Sequence, residues 1–362
     1  MERALELALQ GWGQVAPNPL VGAVVVADGR VVGEGHHARF GAAHAERVAL
    51  DTAGSAARGA TLYVNLEPCC HHGQTPPCTG AIVESGVERV VFACRDPDAI
   101  AGGGAEVLRR AGVEAVGGLC AGEAVRMNGP FLWKRIGTGP WITLKMALSL
   151  DGRISAGDGL RTNITGAEAG AYVHWLRSGH DAILIGGRTA VVDDPILTIR
   201  AAERPRLPPL RVVLDPKLDL PPESRLVETA DETPLTVFCA RETPRTRIED
   251  LEAHGVEVRP VGVDAGGLDL HEVLGILEEK GVDSILAEGG ARLATALLSR
   301  GLVRRQHLIY APTILGPEGV PFIGAPFADS TQWTVAERRA LGEDTVITLE
   351  DRSTQRALLE AA

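Results

Sequence analysis

Apolar positions along the chain gather into short continuous runs separated by amphipathic stretches, the alternation of strands and helices expected of an α/β protein. Residues 21–26, Val-Gly-Ala-Val-Val-Val, predict a buried strand, and Asp28-Gly29 is a hairpin turn into Val31-Val32-Gly33. Residues 44–50 predict a helix, and 61–66 a second long strand that delivers the chain to Glu67-Pro68-Cys69. A helix over 79–85, a strand over 88–93 and a helix near 106–111 follow.

The pattern pauses over 134–140, Lys-Arg-Ile-Gly-Thr-Gly-Pro, and restarts at Trp141. Beyond it strands are expected at 141–148, 182–185, 211–214, 235–238, 256–260, 284–287 and 307–311, and helices at 167–177, 246–253, 270–279 and 291–299. That is a second α/β arrangement with a mostly parallel sheet. A chain of 362 residues is too long for one comfortable core, so the pause is read as a boundary. The expected domains are 1–139 and 140–350, with 351–362 a tail, helical or frayed.

Bulk properties narrow the class. Hydrophobic content of 45% and charged content of 23% are those of a globular protein, and the formal charge is −11. An acidic chain lacks the basic footprint that phosphate neutralisation needs, which argues against a nucleic-acid partner. No apolar run approaches membrane-spanning length, and the first residues are amphipathic with no apolar signal core, so a cytoplasmic protein is expected. In a reducing compartment, Cys pairs near a His read as metal ligands before disulfides. Cys94, Cys120 and Cys239 have no ligand-like spacing and are expected as small buried or half-buried side chains.

The remaining cysteines carry the chemistry. His44-Ala45-Glu46 is followed by Pro68-Cys69 and then Cys78. One imidazole and two thiolates leave tetrahedral zinc a fourth position for water, which a catalytic site needs and a closed structural site lacks. Glu46 is close enough to handle that water's protons without ligating the metal. The H-x-E…P-C order is that of zinc nucleobase deaminases. Cys70 adjoins Cys69, and neighbouring cysteines cannot easily reach one metal, so Cys70 is read as a bystander. His71 and His72 are alternative ligands or substrate-facing groups.

The longer stretches containing these residues resemble one family. Residues 16–22 (Ala-Pro-Asn-Pro-Leu-Val-Gly), 35–46 (Gly-His-His-Ala-Arg-Phe-Gly-Ala-Ala-His-Ala-Glu) and 67–78 (Glu-Pro-Cys-Cys-His-His-Gly-Gln-Thr-Pro-Pro-Cys) are similar to the bifunctional riboflavin-biosynthesis deaminase–reductases, over almost the whole chain. The resemblance implies a zinc cytidine-deaminase-like three-layer domain followed by a dihydrofolate-reductase-like α/β domain. It implies one Zn²⁺ per chain and NADPH as cofactors. By it, Asn18, His37 and His71 line the pyrimidine and ribose-phosphate pocket; the alternative for Asn18 is a Pro-Asn-Pro turn with no substrate contact. Gln74 departs from the Lys or Arg that the family usually carries there.

In the second half, Lys145 is a cation inside an apolar strand; unless its amine reaches the surface it needs a partner or a task. Residues 284–293 read as a strand, a Gly289-Gly290 turn and a helix, whose exposed amides would seat a pyrophosphate or merely make a tight connection. The resemblance implies NADPH contacts at Ala147, Asn163, Thr189, Asp193, and Gly290, Ala291, Arg292, Leu293, Ala294, Thr295 and Ala296. It implies substrate contacts at Arg161, Arg177, Leu197, Arg200 and Glu288. Asn163 stands where the family often has an aromatic residue.

The reaction implied is removal of the 2-amino group of 2,5-diamino-6-ribosylamino-4(3H)-pyrimidinone 5′-phosphate, then reduction of the ribosyl group to ribityl. Lys145 and Asp151 are candidates to assist the reduction, with roles that sequence does not separate. The expected partner is this small pyrimidine ribosyl phosphate, with no membrane and no nucleic acid, in a homo-oligomer. Rival readings are a nucleoside or tRNA deaminase, which leaves the second half unexplained, and a deaminase whose second domain binds a nucleotide without catalysis.

Overall fold

The expected first strand forms one residue later as β1 (Gly22–Ala27), and Asp28 and Gly29, both with positive φ, turn it into β2 (Arg30–His36). In the computed structural model, residues 1–71, 76–98, 100–324 and 332–362 are described. They divide into one unit of residues 1–138 with 355–362 and another of 139–354. In the first unit, α1 (Glu2–Ala8) precedes the hairpin, and α2 (Ala45–Ala53) and β3 (Thr61–Leu66) follow it. Then come α3 (Cys78–Ser85), β4 (Arg89–Cys94), α4 (Gly104–Arg110), β5 (Glu114–Gly117), α5 (Ala121–Met127) and α6 (Gly129–Ile136). The sheet order is β2-β1-β3-β4-β5, with β1 antiparallel to both neighbours and β3, β4 and β5 parallel.

Glycines set the layering. Gly22 pairs with His36 and Ala23 with Gly35, so Gly22 and Gly35 lie on opposite faces. A Cβ on Gly22 would come 2.0 Å from the Ala4 carbonyl oxygen of α1; one on Gly35 would come 2.5 Å from the Ala45 carbonyl oxygen of α2. The two helices therefore press on opposite faces of the sheet, the three-layer arrangement expected, and α2 sits close enough for its first turn to reach the end of β3.

The second unit runs β6 (Trp141–Leu148), β7 (Arg153–Ser155), α7 (Ala167–Ser178), β8 (Ala182–Gly186), α8 (Gly187–Asp193), β9 (Leu210–Leu214), α9 (Arg225–Glu228), β10 (Leu235–Ala240), α10 (Arg245–Glu252) and β11 (Glu257–Val261). It continues with β12 (Val263–Asp264), β13 (Gly267–Leu268), α11 (Leu270–Glu279), β14 (Ser284–Ala287), α12 (Ala291–Ser299), β15 (Val303–Tyr310), β16 (Val320–Pro321), β17 (Trp333–Leu341) and β18 (Asp344–Asp351). Its main sheet is ordered β11-β10-β9-β8-β14-β6-β15-β18-β17. The strands from β11 to β15 are parallel, and β18 and β17 add an antiparallel edge. Ile142, Leu144, Leu184, Ile285 and Ala287 pack against Val273, Leu277, Ala294 and Leu297 of α11 and α12. Ile183, Ile185, Val213 and Val237 face a second apolar cluster with Leu226, Ile248 and Leu251.

Helix α6 extends through Ile136, so three residues of the expected pause are helical, and Gly137 and Gly139 make the break. The tail forms α13 (Arg352–Ala361). Among the described residues no helix is long and apolar enough to cross a membrane.

Candidate active sites

Three element ends meet in the first unit. His44 is the N-cap of α2, Cys78 opens α3, and Cys69 lies in the loop after β3. His44 Nδ1 is 3.2 Å from Cys78 Sγ and 3.6 Å from Cys69 Sγ, and the Cys78 N–H donates to Cys69 Sγ at 3.4 Å. Zinc bonds of about 2.3 Å to sulfur and about 2.0–2.1 Å to nitrogen in a tetrahedron put N···S edges at about 3.6 Å, so the donor set fits the ion. Among the described residues it is the one such group of metal-competent side chains. Cys69 is held well below the ordinary thiol range by the proton that Cys78 shares with it and by His44, against the effect of burial. Cys78, donating to Cys69 and buried, is pushed up; a coordinated cation would deprotonate it.

Glu46 stands in the first turn of α2 with 4% of its surface exposed. Burial pushes its carboxyl up, and the negative Cys69 adds to that while His44 opposes it. A buried carboxyl beside the donor set is placed to collect and return protons. Behind it, His37 Nδ1 faces the Ala43 carbonyl at 3.1 Å, and Nε2 faces Asn18 Nδ2 at 3.1 Å. A carbonyl only accepts, so Nδ1 carries the hydrogen, Nε2 accepts, and the Asn18 amide donates. Burial lowers the pKa of this imidazole, against the Ala43 carbonyl, and so favours its neutral form. The Asn18 amide nitrogen is thereby committed to His37, which has both ring nitrogens engaged within the protein. His71 Nδ1 is buried without a hydrogen-bond partner among the described residues. The Cys70 thiol turns to the Ala101 and Gly102 carbonyls and does not join the donor set. His72 and Gln74 lie outside the described residues.

In the second unit, Lys145 on β6 and Glu288 just after β14 meet across adjacent parallel strands, Nζ to Oε2 at 3.0 Å. Arg177 at the end of α7 grips the same carboxylate with Nε and Nη2, and its Nη1 donates to the Thr198 carbonyl. Burial would raise the Glu288 carboxyl, but Arg177 and Lys145 overcome it and bring it down to about 2. Lys145 is therefore neither unpartnered nor snorkelling to bulk water. Ala147 lies two residues along β6, on the same face of the strand.

Gly290 is the N-cap of α12 with no side chain capping it, and a Cβ there would lie 3.4 Å from Thr189 Oγ1 of α8. The open amides and the absence of a side chain suit a pyrophosphate. Ala291, Arg292, Thr295 and Ala296 follow in the helix; Leu293 and Ala294 are core residues, so any ligand contact from them is through the main chain. Leu197 is also a core side chain, held at φ +58, while the exposed Arg200 bonds Thr198 and its N–H donates to His174 Nδ1. Asp193 ends α8, its carboxyl raised by burial against the pull of Arg161 and Lys145. Arg161 and Asn163 are exposed.

Asp151 takes a different position from Lys145. Its carboxylate accepts from Ser149 Oγ at 2.6 Å and from the Leu315 and Gly316 N–H groups at 3.1 and 2.8 Å, which bring it down to about 2. It fastens the 149–153 turn to the 313–316 loop. His174 and Thr198 were not foreseen from sequence; a His three residues before Arg177 on one helix face is the signal that could have found the first.

Known proteins bear on both units. Residues 1–94 match the cytidine and deoxycytidylate deaminase zinc-binding region, and residues 140–347 match the RibD C-terminal domain. The chain is 40% identical over 352 residues to riboflavin biosynthesis protein RibD of Aquifex aeolicus, covering 96% of each. It is 39% identical to that of Escherichia coli K12, covering 96% of this chain and 98% of the relative. The crystal structure of a diaminohydroxyphosphoribosylaminopyrimidine deaminase/5-amino-6-(5-phosphoribosylamino)uracil reductase from Thermotoga maritima superposes with a TM-score of 0.81 at 34% identity over 97% of both chains. With a deaminase-type zinc site in one unit and a reductase domain in the other, the chain belongs to the RibD family, the deaminase–reductases of riboflavin biosynthesis.

Proposed function

We propose that the first unit hydrolyses the 2-amino group of 2,5-diamino-6-ribosylamino-4(3H)-pyrimidinone 5′-phosphate and that the second reduces the ribosyl group of the product with NADPH. The observation that carries the first step is the buried Glu46 beside the His44, Cys69 and Cys78 donor set. Zinc, when bound there, supplies Lewis acidity that makes a hydroxide nucleophile available near neutral pH. Glu46 takes the proton of the attacking water and returns protons to the ring nitrogen and the departing ammonia. The Asn18 oxygen accepts from the substrate, and His37 fixes that amide's orientation.

In the second step, ring opening breaks C1′–O4′, moves the glycosylamine proton to O4′ and leaves C1′=N. NADPH, when bound, supplies the hydride that C1′ receives. Lys145, held by Glu288, delivers the proton that the nitrogen gains, and the remaining N–H groups of Arg177 with Arg200 receive the sugar phosphate. The α12 amides and Thr189 hold the cofactor.

NADPH absorbance is followed with zinc-loaded protein and the diaminopyrimidine substrate. The expected result is NADPH loss that disappears in Glu46→Gln and returns when the deaminated intermediate is supplied. Ammonia release with no NADPH loss would leave the second unit as a nucleotide-binding module, and neither signal would refute the substrate.

A further inference from the structure

Between Asn18 and β1 the main chain passes through the interior, where Leu20 is 7% exposed. Its polar groups are met by side chains. The Leu20 N–H donates to Asn128 Oδ1 at 2.8 Å, and its carbonyl accepts from Asn128 Nδ2 at 3.0 Å and from Asn65 Nδ2 at 2.8 Å. Asn65 Oδ1 in turn accepts from the Gly22 N–H at 2.8 Å. Asn65 on β3 is fully buried and Asn128, between α5 and α6, is 2% exposed. Asn128 thus offers one residue both a donor and an acceptor, as a neighbouring strand would, from a distant part of the sequence. Neither asparagine belongs to the metal donor set.

We propose that Asn128, backed by Asn65, is a positioning residue for the deaminase, fixing the 18–20 main chain so that the Asn18 oxygen meets the substrate. The proposal rests on Asn18 being a substrate contact. Two restraints converge on this stretch: His37 sets the rotation of the Asn18 amide, and Asn128 sets the backbone two residues on. Removing Asn128 leaves the Leu20 N–H without its acceptor and takes one of the two donors from its carbonyl, so the main chain is loosened with only Asn65 still gripping it, while the metal ligands, on other elements, keep their anchors. A displacement of this kind raises KM for the ligand that Asn18 receives and leaves zinc in place.

The test uses the full chain and measures ammonia release, zinc content, and reduction of supplied deaminated intermediate in Asn18→Ala, Asn128→Ala and the double variant. Asn128→Ala is expected to raise the deaminase KM by up to about tenfold, the loss of roughly one hydrogen bond to the substrate, with zinc at the wild-type content and the reduction rate unchanged. In the Asn18→Ala background the same change is expected to do almost nothing further, because both act through one contact. Asn128→Ser, too short to serve both Leu20 groups, replaces the alanine variant should that one lose its zinc. An unchanged KM, or an equal loss in both backgrounds, overturns the positioning role. A silent Asn18→Ala beside an active Asn128→Ala instead overturns the substrate contact at Asn18, and with it the route proposed here.

Discussion

Acidification should weaken the second unit through His180. This imidazole is 8% exposed; its Nδ1 faces the Leu176 carbonyl at 2.7 Å, and its Nε2 lies 3.0 Å from Thr143 Oγ1, which accepts from Trp141 Nε1 at 3.1 Å. The carbonyl requires a hydrogen on Nδ1, so Nε2 accepts from the Thr143 hydroxyl, and the neutral ring satisfies every group in the chain. Burial pulls its pKa from 6.5 down to about 4, helped by Arg305 and opposed by the Leu176 carbonyl and Glu288. The unfolded chain takes up the proton below pH 6.5 and the folded one does not until about pH 4. Stability is therefore intact above 6.5 and is lost as pH falls toward 4. At 1.36 kcal/mol per pKa unit the loss reaches about 3 kcal/mol, of which about 2 kcal/mol falls between pH 7 and pH 5. Urea unfolding at both pH values, read by hydrogen exchange in residues 141–148, measures it in this unit alone. His180→Gln, which cannot titrate, should lose about 2 kcal/mol less than the wild type over that interval. Equal losses in the two proteins would refute the reasoning.

Two further outcomes follow from close packing and from charge. Gly35→Ala places a Cβ 2.5 Å from the Ala45 carbonyl oxygen; α2 must shift, at a cost of about 1–3 kcal/mol, and zinc retention during dialysis against a chelator should fall along with deaminase activity. Glu288→Gln leaves Lys145 and Arg177 with no carboxylate between them; urea midpoints should report a loss of about 3–5 kcal/mol in the second unit, with ammonia release unaffected.

Much of this was legible in the chain because local signals and tertiary structure agree. The strand at Trp141–Leu148 and the helix at Ala291–Ser299 form with the expected ends, since a buried parallel strand is a continuous apolar run and a glycine pair marks the helix start. His44, Cys69 and Cys78 were readable because metal-ligand spacing is a sequence property. Strand β17 was not: its Glu337-Arg338-Arg339 stretch is exposed and shows no alternation, and it is a strand because it pairs with β18. The Arg177–Glu288–Lys145 cluster shows the same limit. Each residue was singled out, but their joining around one carboxylate depends on β14 lying beside β6, which no local pattern encodes. Asn65 and Asn128 were passed over for a related reason, since a buried asparagine has no signature until the backbone it serves is in view.

Helix α13 has a consequence for how the protein is made. Residues 355–362 belong to the same unit as residues 1–138, with Leu358 buried and the Arg95 N–H donating to the Ala362 carbonyl oxygen at 2.6 Å. A ribosome moving at about 5–20 residues per second needs roughly 10–40 s to read the intervening residues 139–354. For that time the zinc-binding unit waits without its closing helix. The unit that carries the zinc-site residues is the one completed by a segment translated after the other unit has been read.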